Sequence, residues 1–360
     1  MAASADGATV RTGGSAPDVV GVLVLSGCAV WSLVTAAGRE ARPEGVLLAV
    51  LALAAGYAWG RICGTLLPVV AAVGAALAAL GLAVGSRHGV PGTPSDQIVG
   101  HTGATAALLA LASGAACCAA WAARSASLRL ALRLLAPALA VAALLLGSVA
   151  GCVAALGVLL CSLAAARMRS RLVGLAGLVL ATGLVVGGSW AVAEHALPDG
   201  LTVSLEDQLT QNRVLLWQDA IGLARANPAL GTGPDRFGEL SPTARRTPSA
   251  DSKPHSAALQ QAAEQGIVGV CLLAAAFGWL LYGLWRSPRS TPVVLTAGAA
   301  LTALAALASV GNALSFTPVT AGAGLLAGLA TARRQSESPD PAEEGAAEAG
   351  SGLGRLPAGQ

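Results

Sequence analysis

LLAPALAVAALLLGSVAGCVAALGVLLCSLAAA, residues 134–166, runs without one charged side chain. About 20 apolar residues in helical form cross the hydrocarbon core of a bilayer. The stretch is therefore too apolar for a soluble loop and too long for one crossing. Gly147-Ser148-Val149-Ala150-Gly151 sits near its middle, where glycines permit a tight turn, so it reads as two membrane helices joined by a short break.

Similar apolar runs recur on both sides of it. They fall at 19–37, 44–59, 62–85, 102–122, 134–147, 149–166, 172–193, 267–285, 292–310 and 317–332, which predicts about ten spans of near-membrane length. Composition agrees. The chain of 360 residues is 54% hydrophobic and 11% charged, with mean hydropathy +0.67. Soluble domains carry roughly 25% charged residues. The expected fold is all-α, a polytopic transmembrane helical bundle of about ten spans with one large, partly helical extracytoplasmic loop. Forty-five glycines let helices approach closely, as packing in lipid favours.

The expected layout is a disordered cytoplasmic N-terminus (1–18), a transmembrane bundle of about seven spans (19–193), an extracytoplasmic loop (194–266), a second bundle of about three spans (267–332) and a disordered cytoplasmic tail (333–360). The first run exceeds the about 7–15 residues of a signal-peptide core, so it reads as a retained helix. Orientation follows from arginines in short loops. Arg124, Arg129 and Arg133, then Arg167, Arg169 and Arg171, then Arg286 and Arg289, and finally Arg333 and Arg334 form clusters. All fall on one side if both termini are cytoplasmic. That places the chain in the cytoplasmic (inner) membrane with the 194–266 insert on its outer face.

The apolar runs hold almost no ionisable group, which argues against an ion-coupled transporter, since such proteins bind or relay the ion at membrane depth. The seven cysteines lie in apolar runs without a metal-ligand spacing, and read as small buried residues. No metal or other cofactor and no nucleic-acid partner is expected. There is no Asp-x-Asp, no Gly-x-Ser-x-Gly and no phosphate-binding glycine-lysine loop.

Chemistry therefore falls to the insert. Val214, Trp217, Ile221 and Ala224 make an apolar stripe at helical spacing, and Asn227-Pro228 ends that helix. Arg213 lies four residues before Trp217, on the same face. Gly231-Thr232-Gly233-Pro234 forms a turn ahead of Asp235, Arg236 and Phe237. The stretch from Ser241 to Pro254 reads as a mobile loop, and His255 stands at the mouth of the helix that becomes the eighth span.

The order Arg213, Trp217, Pro228, Gly231, Gly233, Phe237, His255, Leu259, Glu264, Gly266 and Gly269, late in a polytopic frame, resembles the core of the O-antigen ligase and polysaccharide polymerase family. The motif covers residues 213–269. This chain has His255-Ser256 where the family often has His-Asn, and Ser148-Val149 where it often has Ser-Arg. The resemblance implies transfer of a saccharide from a polyprenyl diphosphate to a hydroxyl on a glycan, lipid or protein acceptor. It makes Arg213 and His255 the expected catalytic pair, with Arg236, Arg87 and Trp217 as substrate-binding residues. Guanidinium suits the departing diphosphate, because it stays charged and binds phosphate oxygens in a fixed fork. Histidine, with an ordinary pKa of about 6.5, is available as a base at neutral pH. Two other readings stand beside this one: a transporter or flippase of lipid-linked saccharide, and a non-catalytic envelope scaffold. Taken by itself, Trp217 reads more readily as an interfacial anchor or core residue than as a sugar platform, and Glu264 reads as structural.

Overall fold

The computed structural model describes residues 16–85, 101–194, 211–246 and 253–333, and every regular element among them is a helix. Seven helices precede the insert: α1 (Ala16–Ala36), α2 (Glu44–Leu66), α3 (Pro68–Gly85), α4 (His101–Ala122), α5 (Ala126–Leu145), α6 (Val149–Ala165) and α7 (Arg171–Ala193). The insert supplies α8 (Gln211–Ala226), α9 (Phe237–Leu240) and α10 (Pro242–Arg246). The bundle closes with α11 (Ala257–Trp285), α12 (Thr291–Val310) and α13 (Thr317–Thr331).

Eight of these helices, α1–α5, α7, α11 and α12, are long and apolar enough to cross a membrane. The other two expected spans are shorter, with 17 residues in α6 and 15 in α13. At about 1.5 Å per residue they fall short of a full hydrocarbon core. The break inside 134–166 is where glycine allows it: α5 ends at Leu145, and Gly147 has φ 72°. Ser148 then caps α6, its Oγ accepting the Gly151 N–H at 3.1 Å.

Two boundaries differ from the sequence reading. The break after the second span falls at Leu67 rather than near residue 60, because Pro68 forces the residue before it out of the helical region. Arg61 therefore lies inside α2, where its guanidinium pairs with Asp18 of α1 at 2.8 Å. Likewise α5 starts at Ala126, capped by Ser125, so Arg129 and Arg133 sit on helix rather than in a loop. Both find local partners: Arg129 donates to the Ala123 carbonyl at 3.2 Å, and Arg133 lies 5.3 Å from the Trp121 ring centroid.

The centre of the bundle is α4, apolar on every side and built from small residues, with 94% of its membrane-length window buried. A helix apolar all round belongs inside. α12 is the next most enclosed at 72%, while α1, α2, α3 and α7 turn most of their surface outward, as lipid-facing helices do. The tightest packing joins α2 to α13. A Cβ at Gly56, Gly60, Gly324 or Gly328 would come within 2.2–2.3 Å of a backbone oxygen on the other helix. Here the abundant glycine acts as expected, letting two backbones touch.

Arginines gather at one end of the bundle. Arg171 donates to the carbonyls of Trp285, Ser287 and Arg289, and buried Arg289 donates to those of Gly64 and Ala332. The ends of α2, α11 and α13 are thus tied to the starts of α7 and α12. The insert packs at the opposite end, against the α1–α2 connection: Arg42 N–H meets the Pro234 carbonyl at 3.1 Å.

Candidate functional site

The insert has its own small core. Leu216, Trp217, Ala220 and Ile221 of α8 bury against Phe237, Ala244, Leu259, Ala263 and Val192. Trp217 and Ile221 of the stripe read from the sequence are in this core, which is laid on the first turns of α11 and the end of α7. Arg225 near the end of α8 pairs with Glu194 at 2.8 Å. Asp219, on the polar side of α8, accepts from Ser241 Oγ at 2.5 Å and from the Thr243 N–H at 2.9 Å, which fastens α10. Part of the expected mobile loop is therefore short helix; residues 247–252 lie outside the described residues.

The motif glycines make one backbone crossing possible. The 228–234 turn lies across α11 where that helix breaks at Gly266, which has φ 66° and ψ −164°. Thr232 and Gly233 donate their N–H groups to the carbonyls of Ala263 and Glu264, at 2.9 and 2.8 Å, and Ile267 N–H donates to Pro228 O at 2.9 Å. A Cβ on Gly231 (φ 63°) would sit 2.3 Å from the Glu264 carbonyl carbon, and one on Gly266 would sit 2.5 Å from Ala229 O. Only glycine tolerates both the left-handed angles and the contact. The break divides α11 into an outer piece, Ala257–Gln265, and an apolar membrane-length piece from Ile267.

Four of the five expected site residues, Arg213, Trp217, Arg236 and His255, lie among the described residues. Trp217 is 1% exposed, and its indole N–H donates to Pro254 O at 2.6 Å. Trp217 thus stands in the core of the insert, the alternative its sequence also offered, and holds the peptide just before His255. His255 has φ 51°, a left-handed angle uncommon outside glycine, and directly precedes Ser256, the N-cap residue of α11. Arg213, one turn ahead of Trp217, is half-buried. Burial pushes its pKa below the ordinary arginine value, and among the described residues its guanidinium has no hydrogen-bond or ion-pair partner. Arg236 follows the turn; its Nε is buried without a hydrogen bond and lies 3.7 Å from Glu239. Arg87 lies outside the described residues. The fold therefore joins α8, the segment ahead of α11 and the 228–236 turn, bringing Trp217 to the peptide before His255.

Several residues that hold the site went unread in the sequence. Arg39, from the α1–α2 connection, donates to Gly231 O at 2.9 Å, and Trp31 donates to Gln265 O at 3.0 Å. Glu264, read as structural, is 4% exposed. Its carboxylate accepts from Gln260 Nε2 at 3.2 Å. Burial pushes its pKa up to about 7, against hydrogen bonding and the charge of Lys253, which lower it; the charge of Asp235 raises it. No local periodicity marks the contacts of Arg39 and Trp31, because their partners are distant in sequence.

Four of the five buried polar atoms without a partner among the described residues, on Arg236, Ser256, Gln261 and Gln265, lie in this region. Such atoms are rare in folded proteins and mark places where a ligand or water completes the structure. A family model described as O-antigen ligase matches residues 98–274, which take in α4 to α7, the whole insert and the first half of α11. No curated protein matches the chain.

Proposed function

The chain belongs to the O-antigen ligase family, a membrane glycan-processing family, and on that premise we propose that it transfers a saccharide from a polyprenyl-diphosphate donor to an acceptor hydroxyl on the outer face of the cytoplasmic membrane. The observation that carries this reading is Arg213: a half-buried cation without a protein partner among the described residues, one turn from the tryptophan that holds the His255 peptide. A desolvated guanidinium without its own carboxylate is stabilised by an incoming anion.

In this reading Arg213 grips the diphosphate and Arg236 assists. His255 accepts the proton of the acceptor hydroxyl as its oxygen bonds to the anomeric carbon. The bond from that carbon to the diphosphate oxygen breaks, and polyprenyl diphosphate leaves with the bonding pair. The negative charge that grows on the leaving group is what the arginines stabilise most, so they lower the barrier rather than only holding substrate. Membrane lipids surround the donor's tail, and the acceptor is a glycan, lipid or protein.

The experiment is complementation of a deletion strain by Arg213→Ala and His255→Ala. Both variants should reach the membrane at normal level and form no product glycan, with transfer down by about a hundredfold or more. Normal glycan from either variant would remove that residue from the chemistry, and normal glycan from both would end the reading.

A further inference from the structure

We propose that the α1–α2 connection is part of the transfer site, with Arg39 as the residue that positions the turn leading into Arg236. The inference rests on the transfer reading above and extends the site to residues ahead of 98, where the family match begins.

The connection starts from a helix that is fastened to α11 at several levels. Trp279 Nε1 donates to Pro17 O at 2.8 Å near the start of α1, Cys28 Sγ donates to Leu272 O at 3.9 Å, and Trp31 Nε1 donates to Gln265 O at 3.0 Å beside the break. Partners rise along α1 as they fall along α11, so the two helices run antiparallel. They also approach closely. A Cβ at Gly21 would come within 2.3 Å of the Trp279 indole, and one at Gly27 would lie 3.3 Å from the Leu272 side chain. Small residues at such an interface let two helices pack as one unit. The last turn of α1 is thereby fixed relative to the outer piece of α11.

From that end the chain crosses onto the turn. Arg39 Nη1 donates to Gly231 O at 2.9 Å, and the Arg42 N–H donates to Pro234 O at 3.1 Å. The turn is thus held from two sides, since Thr232 and Gly233 donate to the Ala263 and Glu264 carbonyls of α11. Of the two bonds from the connection, the one from Arg39 is charge-assisted, the stronger kind. Gly233, with φ 106°, lies between the two acceptors. A Cβ there would sit 3.0 Å from Ala41 Cβ, 3.4 Å from Arg236 Cδ and 3.5 Å from Thr35 O. The stem of Arg236 therefore rests on Gly233, and Gly233 rests on Ala41 and the last turn of α1. Arg236 Nε is buried without a hydrogen bond and lies 3.7 Å from Glu239, so the stem's packing on Gly233 does much to direct the side chain. Arg39 holds the peptide at one edge of that stack. Loss of its bond frees the turn on the side that faces the connection, and the support under Arg236 loosens with it.

The test uses the full chain in lipid nanodiscs with a polyprenyl-diphosphate-linked oligosaccharide and an acceptor glycan. Arg39→Ala should lower kcat/KM by roughly tenfold to a hundredfold, the scale of a lost hydrogen bond to a charged group. Arg39→Lys should restore most of it, since an ammonium still donates to the Gly231 carbonyl. In an Arg236→Ala background the loss from Arg39→Ala should shrink to about threefold or less, because Arg39 acts through Arg236. Independent, multiplying losses would overturn the proposal, as would a lysine variant no better than alanine. Amide hydrogen exchange gives a readout free of catalysis. Residues 231–236 should exchange faster in Arg39→Ala and recover in Arg39→Lys, while α12 keeps its wild-type protection. Unchanged exchange at 231–236 overturns the proposal whatever the activity, and so does faster exchange spread through α12. Wild-type protein without transfer activity would instead sink the transfer reading, with exchange still deciding whether Arg39 holds the turn.

Discussion

Replacing Trp217 by phenylalanine removes one N–H and little volume, so it separates packing from positioning. The lost bond to Pro254 O should cost about 1–2 kcal/mol in stability, while transfer falls further because His255 is no longer held. Trp217→Ala also empties the small core of the insert and should cost about 3–5 kcal/mol, read as a lower melting temperature in detergent. Glu264 adds a pH dependence. Its folded pKa of about 7 lies above the ordinary value of 4.5, so between these values the folded chain keeps a proton that the unfolded chain has lost. Stability should therefore fall as pH rises from about 4.5 to about 7 and change no further above that range. Glu264→Gln should remove that slope, measured by thermal melts across the range. At this scale the sequence named Arg213, Trp217, Arg236 and His255 by type and order. The contact that fixes Trp217 had to come from the structure, because its partner, Pro254, lies many residues away.

Among elements, the pairing of α2 with α13 is the contact most sensitive to side-chain size. Gly60→Leu or Gly328→Leu would drive a side chain into the opposing backbone, where even a Cβ comes within 2.3 Å of an oxygen. Each should destabilise the bundle by several times the about 1 kcal/mol of a typical substitution, seen as aggregation on size-exclusion chromatography. Gly74→Leu and Gly81→Leu face open space and should run as wild type. Gly266→Ala tests the break in α11: the left-handed angle and the contact with Ala229 O should unseat the turn and abolish transfer while α12 and α13 remain folded. Apolar run length made the helices legible and the glycines at 147–151 marked one break in advance, whereas Pro68 explains the end of α2 only after the fact. The start of α5 escaped because a reading by charge ends a span at its arginines. Arg129 and Arg133 instead stay helical by finding a carbonyl and an indole nearby. The glycine pairing was legible only as composition; which glycines meet which backbone is a long-range property.

For the whole molecule, the arginine-rich end and the insert lie at opposite ends of the bundle, and that separation makes orientation testable. Arg171 and Arg289 knit the arginine-rich end through helix-terminal carbonyls, whereas the insert packs on the α1–α2 connection. Short arginine-bearing loops are retained on the cytoplasmic side, so the insert should face outward, the side on which the proposed transfer takes place. Glu239 is exposed on α9 of the insert, and Arg286 is exposed just past α11 at the other end. In a background with the seven native cysteines replaced by alanine, Glu239→Cys should react with a membrane-impermeant maleimide on intact cells. Arg286→Cys should react only after the cells are opened. The contrast holds whatever the sugar, since it depends only on which end meets the outside. The reverse pattern would put Arg213 and His255 in the cytosol, away from an outward-facing donor, and the arginines would then have to serve a cytosolic anion instead.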